Sequence, residues 1–286
     1  MDRKVVFLDC DGTIFDVPRN MLKASDKTRY AIKELIKNGH LVFIASGRCK
    51  CLLPDDVVDL NPSGFITTNG AYAYMKDKVI FEKPLKQESI NLLVDYCKEN
   101  NGLCFLESQD YIYIRSLDDP LYVEFVDAWD VKHEIFKDKL LTDKWYLMMS
   151  VFRSEDECIR FENKLQDKLD IRRQYGFTSF DVTDFGNDKG LGVKKVLEYL
   201  NIDKKDAYAF GDGLNDLEML EAVGESYAME NGNPKLKALA KNIAPDVLDD
   251  GFYQIMCQDG LIEPIKDKEE KYKWPVTQTM NNQKRN

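Results

Sequence analysis

A continuous apolar run, Val5-Val6-Phe7-Leu8, gives way abruptly to acids at the start of this chain. An unbroken run of that kind fits a strand buried on both faces of a parallel sheet. Ser25 and Asp26 then open a helix that carries Ile32, Leu35 and Ile36 on one face and stops at Gly39. Leu41-Val42-Phe43-Ile44-Ala45 predicts a second buried strand, and Phe65-Ile66-Thr67 a third. Strand, helix and strand in this succession predict right-handed βαβ units.

The pattern changes between about Pro84 and Phe185. A helix over Ser89 to Asn100 precedes Cys104-Phe105-Leu106 and the alternating Tyr111-Ile112-Tyr113-Ile114, with a Gln-Asp turn between them that predicts an antiparallel hairpin. A strand over Trp145 to Phe152 and an amphipathic helix over Asp156 to Leu169 follow. After Gly186 the first rhythm returns: Val193, Val196, Leu197 and Leu200 at helical spacing, a strand over Ala207 to Phe210, and a helix over Asn215 to Val223. Short runs at Tyr227-Ala228-Met229 and Asn242-Ile243-Ala244 flank Asn233-Pro234, an N-cap and first-turn proline for one more short helix. The expectation is an α/β protein. A Rossmann-like parallel-sheet core spans 1–83 and 187–262, an inserted α+β domain 84–186, and a polar tail with little structure of its own 263–286.

Open parallel sheets bind ligands beyond the carboxyl ends of their strands. There this sequence delivers Asp9-Cys10-Asp11-Gly12-Thr13, Ser46-Gly47-Arg48, Thr68-Asn69-Gly70 and Gly211-Asp212-Gly213-Leu214-Asn215-Asp216. Residues two apart on extended chain face the same way, so Asp9 and Asp11 can converge while Cys10 points elsewhere. Asp212 adds a third carboxylate, and like charges so close raise one another's pKa unless a cation intervenes. Mg²⁺ suits oxygen donors of this kind. A single acid at a strand end can equally cap a turn or a helix, but three together point to a site.

Composition trims the alternatives. The chain has 286 residues, 44% of them hydrophobic, so it can bury a core. Lys and Arg number 40 against 50 Asp and Glu, a net charge of -10, and no basic stripe suggests a nucleic-acid partner. No apolar run is long enough to span a membrane, and the first strand begins too early to leave room for a signal peptide, so a cytoplasmic location is expected. Seven Cys without a C-x-x-C pair and two distant His argue against a disulfide framework or a zinc site. Gly211-x-Gly213-x-x-Asp216 lacks the third glycine of a dinucleotide-binding turn.

Together with Ile44-Ala45-Ser46-Gly47-Arg48, Thr68-Asn69-Gly70-Ala71, Asn187-Asp188-Lys189-Gly190, Ala228-Met229-Glu230-Asn231-Gly232-Asn233-Pro234 and Asp250-Gly251-Phe252, the strand-end motifs resemble the haloacid dehalogenase (HAD) phosphatase superfamily. Within it they are similar to the Cof-like branch with a type IIB cap, over roughly residues 4 to 262. The resemblance implies that Asp9 is the nucleophile and forms an aspartyl phosphate, while Asp11 acts as general acid and then base, a role suited to a carboxyl lifted relative to its partner. It implies Mg²⁺ held by the Asp9 carboxylate, the Asp11 backbone carbonyl and the Asp212 carboxylate, with Asp216 orienting that shell. Ser46, the Gly47 N–H and Asn215 would donate to the phosphoryl oxygens, and Lys189 would neutralise charge. Arg48 stays outside this set, and Asn69 reads equally well as a turn residue. The acidic net charge then counts nothing against a phosphate ester, because the cation and Lys189 make the local field favourable.

The implied activity is hydrolysis of a small phosphate monoester, a sugar phosphate or a phosphorylated cofactor, by a monomer or weak homodimer that binds neither nucleic acid nor membrane. A phosphomutase of the phosphomannomutase type would share the chemistry, and a non-catalytic phosphate-responsive protein would share the fold. Intact Asp9, Asp11, Lys189 and Asp212 weigh against the latter. Tyr111, Tyr113 and Phe125 are aromatic candidates for leaving-group contacts, though each equally suits a core. Hinges for a moving cap would fall near residues 82–85 and 185–188.

Overall fold

The computed structural model describes residues 3–129, 133–174 and 177–266; the expected polar tail lies outside them from residue 267 on. The first sheet begins with β1 (Val5–Leu8), α1 (Asp26–Lys37), β2 (Leu41–Ala45), α2 (Asp55–Val58) and β3 (Gly64–Thr67). Ser25 caps α1 by accepting the Thr28 N–H, as its position before an amphipathic run predicts. An antiparallel pair not anticipated from the sequence, β4 (Tyr72–Met75) and β5 (Lys78–Glu82), extends this sheet beyond β3.

The chain then builds a second sheet. Its elements are α3 (Gln87–Glu99), β6 (Leu103–Glu107), β7 (Ile112–Ile114), α4 (Pro120–Trp129), β8 (Phe136–Lys137), β9 (Leu147–Val151), α5 (Glu155–Leu165), β10 (Asp170–Arg173) and β11 (Ser179–Thr183). The order is β10-β11-β9-β6-β7-β8, antiparallel except between β7 and β8. Ser154 and Glu157 form a reciprocal capping box at the start of α5. One sheet face packs Leu106, Met148, Phe180 and Val182 with residues of α3 and α5, including Leu93 and Phe161. The other packs Phe105, Ile112, Ile114 and Met149 with Leu121, Tyr122 and Val126 of α4, a helix the sequence pattern did not reveal.

From α6 (Lys189–Leu200) the chain returns to the first sheet with β12 (Ala207–Gly211), α7 (Leu217–Glu221), β13 (Glu225–Met229), α8 (Pro234–Leu239), β14 (Asn242–Ala244) and α9 (Gly251–Gln258). Its order is β14-β13-β12-β1-β2-β3-β4-β5, parallel from β14 to β3. The helix expected over Asn215 to Val223 is a 3₁₀ turn at Leu214–Asp216 followed by α7. Val6 and Leu8 face a core shared with α1 and α9, whereas Val5 and Phe7 face one shared with α6 and α7. β1 is thus buried on both sides, which is why its run is unbroken.

Two linkers cross between the sheets, and Asp184 ties them together. Its carboxylate accepts the Lys86 N–H at 2.9 Å and the Ser89 hydroxyl, and it is buried. Lys83 Nζ donates to the Gly186 carbonyl at 3.2 Å beside them. Both expected hinge segments are therefore in mutual contact. Asp184→Ala leaves the buried Ser89 hydroxyl and the part-buried Lys86 N–H without their acceptor and is expected to lower unfolding free energy by about 1–3 kcal/mol, measured by denaturant titration.

Candidate active site

Apart from Lys189, which opens α6, each candidate side chain is delivered by the loop beyond a parallel strand. Beyond β1, Asp9 donates its N–H to Phe210 O at 3.0 Å and remains buried, while Cys10 turns into the apolar core and Asp11 points out. The chain then doubles back, with Gly12 N–H to Phe15 O at 2.7 Å. Gly12 adopts φ +84°, and a Cβ there would coincide with the Asp212 carboxylate, so only glycine admits the β1 and β12 loops at this separation.

Beyond β12, the Asp216 carboxylate folds back under its own loop. Oδ2 accepts the N–H groups of Asp212 at 3.1 Å and Gly213 at 2.9 Å, while Oδ1 accepts Lys189 Nζ at 2.6 Å. Lys189 opens α6, whose cap is Asp188, and its ammonium also donates to Asp9 Oδ1 at 2.5 Å. Lys189 is 1% exposed and Asp216 fully buried. Gly70, at φ +93°, lets β3's end approach the backbone of Asp188, which fixes where α6 begins.

Carboxylate oxygens of Asp9, Asp212 and Asp216 lie within 4.8 Å of one another. Burial first, then the Asp216 charge, lifts the Asp9 carboxyl up to about 7 against the opposing pull of Lys189. Burial, then Asp9 and Asp216, lifts Asp212 to about 9. Burial alone would favour the neutral amine of Lys189, but Asp216 and Asp9 outweigh it and hold the ammonium above its ordinary range. Hard oxygen donors that repel one another in this way fit a divalent cation such as Mg²⁺.

The two acids after β1 sit differently: Asp9 is buried, and burial lifts its carboxyl as it does that of Asp212. Asp11 is half exposed, and the Arg48 guanidinium lies across it, Nη2 to Oδ1 at 2.9 Å and Nε to Oδ2 at 3.1 Å. Arg48, left outside the predicted set, is therefore in direct contact with it. Fork geometry at the end of β2 could have suggested this, since Arg suits a carboxylate two-fold.

Ser46 is buried and its Oγ accepts the Arg48 N–H at 3.1 Å, forming the turn on which Gly47 sits. Asn215 Nδ2 donates to Asn69 Oδ1 at 3.3 Å, and Asn69 Nδ2 donates to Asp181 on β11 at 3.1 Å. Asn69, at φ 49°, is thus both a turn residue and a bridge from the first sheet to the second. A second bridge is Gln109, whose Oε1 accepts from Thr67 at 2.9 Å and from the Lys50 N–H at 3.3 Å. By contrast, Tyr111 and Tyr113 pack on Trp145 and Phe125 on Phe105, inside the second sheet's own cores.

The sequence model for haloacid dehalogenase-like hydrolases matches residues 6–256. The YkrA protein of Bacillus subtilis strain 168, named for an inferred phosphatase activity, is 32% identical over 263 residues, 92% of this chain and 100% of that one. A second protein of that strain, the 5-amino-6-(5-phospho-D-ribitylamino)uracil phosphatase YcsE, is 25% identical over 88% of this chain and 93% of its own. A crystal structure from Geobacillus kaustophilus superposes with a TM-score of 0.80 at 29% identity, over 91% of this chain and 100% of that one. The HAD subclass IIB sugar phosphatase BT4131 shares the fold, with a TM-score of 0.77 at 24% identity over 91% of this chain and 100% of its own. With its family model matched over most of its length, the chain belongs to the haloacid dehalogenase-like hydrolases.

Proposed function

We propose that this hydrolase is a Mg²⁺-dependent phosphatase that cleaves a small phosphate monoester by way of an aspartyl phosphate on Asp9. The observation that carries the reading is the buried Asp9–Lys189–Asp216 chain of ion pairs beside Asp212. A carboxylate aimed by a buried ammonium suits a nucleophile, whereas an acid meant only to cap a turn needs no such partner.

Asp9 attacks phosphorus, and the ester oxygen leaves with a proton from Asp11. Asp11 then takes a proton from water, whose oxygen attacks phosphorus, releasing phosphate and restoring the Asp9 carboxylate. Arg48, clasping Asp11, positions that carboxyl between the two steps. Ser46 Oγ, the Gly47 N–H and Asn215 Nδ2 donate to the phosphoryl oxygens, and Lys189 offsets negative charge at the Asp9 end. The carboxylates of Asp9 and Asp212 and the backbone carbonyl of Asp11 would hold Mg²⁺, with Asp216 orienting them. When bound, the cation offsets the repulsion between carboxylate and phosphate. Asp216 suits the orienting role because both of its oxygens already accept hydrogen bonds.

Residues 84–186 act as a cap over the core of 1–83 and 187–262, screening the leaving group from water. Sugar phosphates and phosphorylated cofactors are the substrate classes in view, and YcsE's ribityl phosphate substrate falls among them. No helix among the described residues is long and apolar enough to cross a membrane. The enzyme is expected to work in the cytoplasm as a monomer or weak homodimer.

Asp9→Asn is expected to lower phosphate release by about three orders of magnitude or more while circular dichroism still reports a folded chain, with some loss of melting temperature because Lys189 keeps only Asp216 as an ionic partner. Normal turnover by that variant would remove Asp9 from the nucleophile's role. A second expectation concerns pH. Asp9 at about 7 and Asp212 at about 9 both exceed their ordinary value of 3.8, so the folded state binds more protons than the unfolded one across that interval. Their contribution to stability is present at the acid end and is lost as pH rises through the folded values. In EDTA the protein should melt at a lower temperature at about pH 9 than at about pH 6, and Mg²⁺ should recover more of the melting temperature at the higher pH. A melting temperature in EDTA that rises with pH would contradict this account.

A further inference from the structure

The turn after β3 is strained. Thr68 and Asn69 follow one another at φ 50° and 49°, and a β-branched residue in the left-handed region is unusual enough to need a reason. Neighbouring residues hold the turn there: Thr68 donates its N–H to Arg48 O at 2.9 Å, and Asn69 donates its N–H to Ser46 O at 3.2 Å. From the second sheet, Gln109 Nε2 reaches Thr68 Oγ1 at 3.4 Å. The result is an amide side chain, Asn69, that is 2% exposed and set among three of the proposed phosphate donors. Its backbone rests on Ser46, a Cβ on Gly47 would lie 3.1 Å from its Oδ1, and Asn215 Nδ2 donates to that same oxygen at 3.3 Å.

A primary amide can stand either way round, and its partners decide which end is oxygen. Nδ2 of Asn215 carries two hydrogens, so donation to Asn69 leaves one for a phosphoryl oxygen. Reversed, the same amide would set its own oxygen against that oxygen. The choice is handed on from the cap. Asp181, on β11, accepts Gln174 Nε2 at Oδ1 at 2.8 Å and Asn69 Nδ2 at Oδ2 at 3.1 Å. Gln174 Nε2 also lies 3.7 Å from Met149 Sδ, which can only accept, and this fixes the end of Gln174 that faces Asp181. Burial raises the Asp181 carboxyl and these two donors oppose that rise, and neither neighbour offers an acceptor for a carboxyl proton. Asn69 therefore turns its nitrogen to the cap and its oxygen to Asn215.

We propose that Asn69 is a positioning residue: anchored by Asp181, it orients the Asn215 amide so that Nδ2 meets the phosphoryl group. The proposal rests on the phosphatase reading, with Asn215 as a phosphate donor, and deepens it. A residue of the cap sets the polarity of a donor in the core.

A double-mutant cycle on Mg²⁺-dependent hydrolysis of p-nitrophenyl phosphate tests this. Asn215→Ala is expected to lower kcat/KM by about a hundredfold. Asn69→Gly, which accepts the left-handed φ, should lower it by about tenfold. Asp181→Asn lets the Asn69 amide stand either way round and should lower it several-fold. In the Asn215→Ala background neither should cost more than about a further twofold, because a residue that acts through Asn215 is silent once that amide is gone. A merely structural Asn69 would lower activity by the same factor in both backgrounds, and that result in folded variants overturns the assignment. Wild-type turnover by Asn69→Gly or by Asn215→Ala overturns it too, and the phosphatase reading survives either result. Asp181→Asn leaves the turn itself unchanged and carries the test if Asn69→Gly does not fold. No Mg²⁺-dependent turnover of any ester by the wild-type protein sinks both readings.

Discussion

A fully buried ammonium between two carboxylates is the constraint on which the rest of the site depends. Lys189 is held charged at 1% exposure by Asp9 and Asp216, whose pull outweighs the cost of its burial. The three residues come from β1, from the start of α6 and from the loop after β12, so the ion pairs also fix how those elements meet. Gly12 and Gly70 are the positions where the backbone yields so that this can happen. Removing either partner would leave an uncompensated charge in the interior, which is why the geometry admits little play.

Contacts between the two sheets are of another kind. Asn69 with Asp181, Gln109 with Thr67, Arg172 with Glu218, and Tyr146 and Lys144 with Glu82 are hydrogen bonds and ion pairs. Most apolar residues stay in their own sheet's cores, the exceptions being Cys49, Cys51 and Leu52, which pack into a second-sheet core, and Tyr72, whose ring meets that of Tyr146. Polar junctions exchange their partners for water at modest cost, whereas apolar cores do not. The division of labour between a rigid set of acids and a separable cover is thus written into the chemistry of the junction.

The acids at strand ends were legible in the sequence because each follows an apolar run directly, and the run's position locates the acid in space. The family resemblance, the α/β architecture and the parallel core strands followed from the same signal. Other features left no such trace. β5 is a short edge strand whose apolar run, Val79-Ile80-Phe81, is flanked by charges and never fully buried, so it gives no alternating pattern. α4 reads Leu-Tyr-Val-Glu-Phe-Val, too uniformly apolar for a helical stripe to stand out. Asn69 and Arg48 acquire their importance from neighbours more than 30 residues away, and nothing local to them announces it. Strand alternation puts Asp9 and Asp11 on one side, but only the folded surroundings decide which of them is buried.

The tie at Asp184 has a topological consequence. Because the chain leaves the first sheet and rejoins it at points held side by side, residues 87–183 amount to an excursion whose two ends lie together. The register of the parallel strands is indifferent to what that excursion contains. A different excursion with equally close ends and an acceptor for Asn69 could be grafted at the same seam, so the machinery that handles phosphate and the surface that selects its bearer can be revised independently.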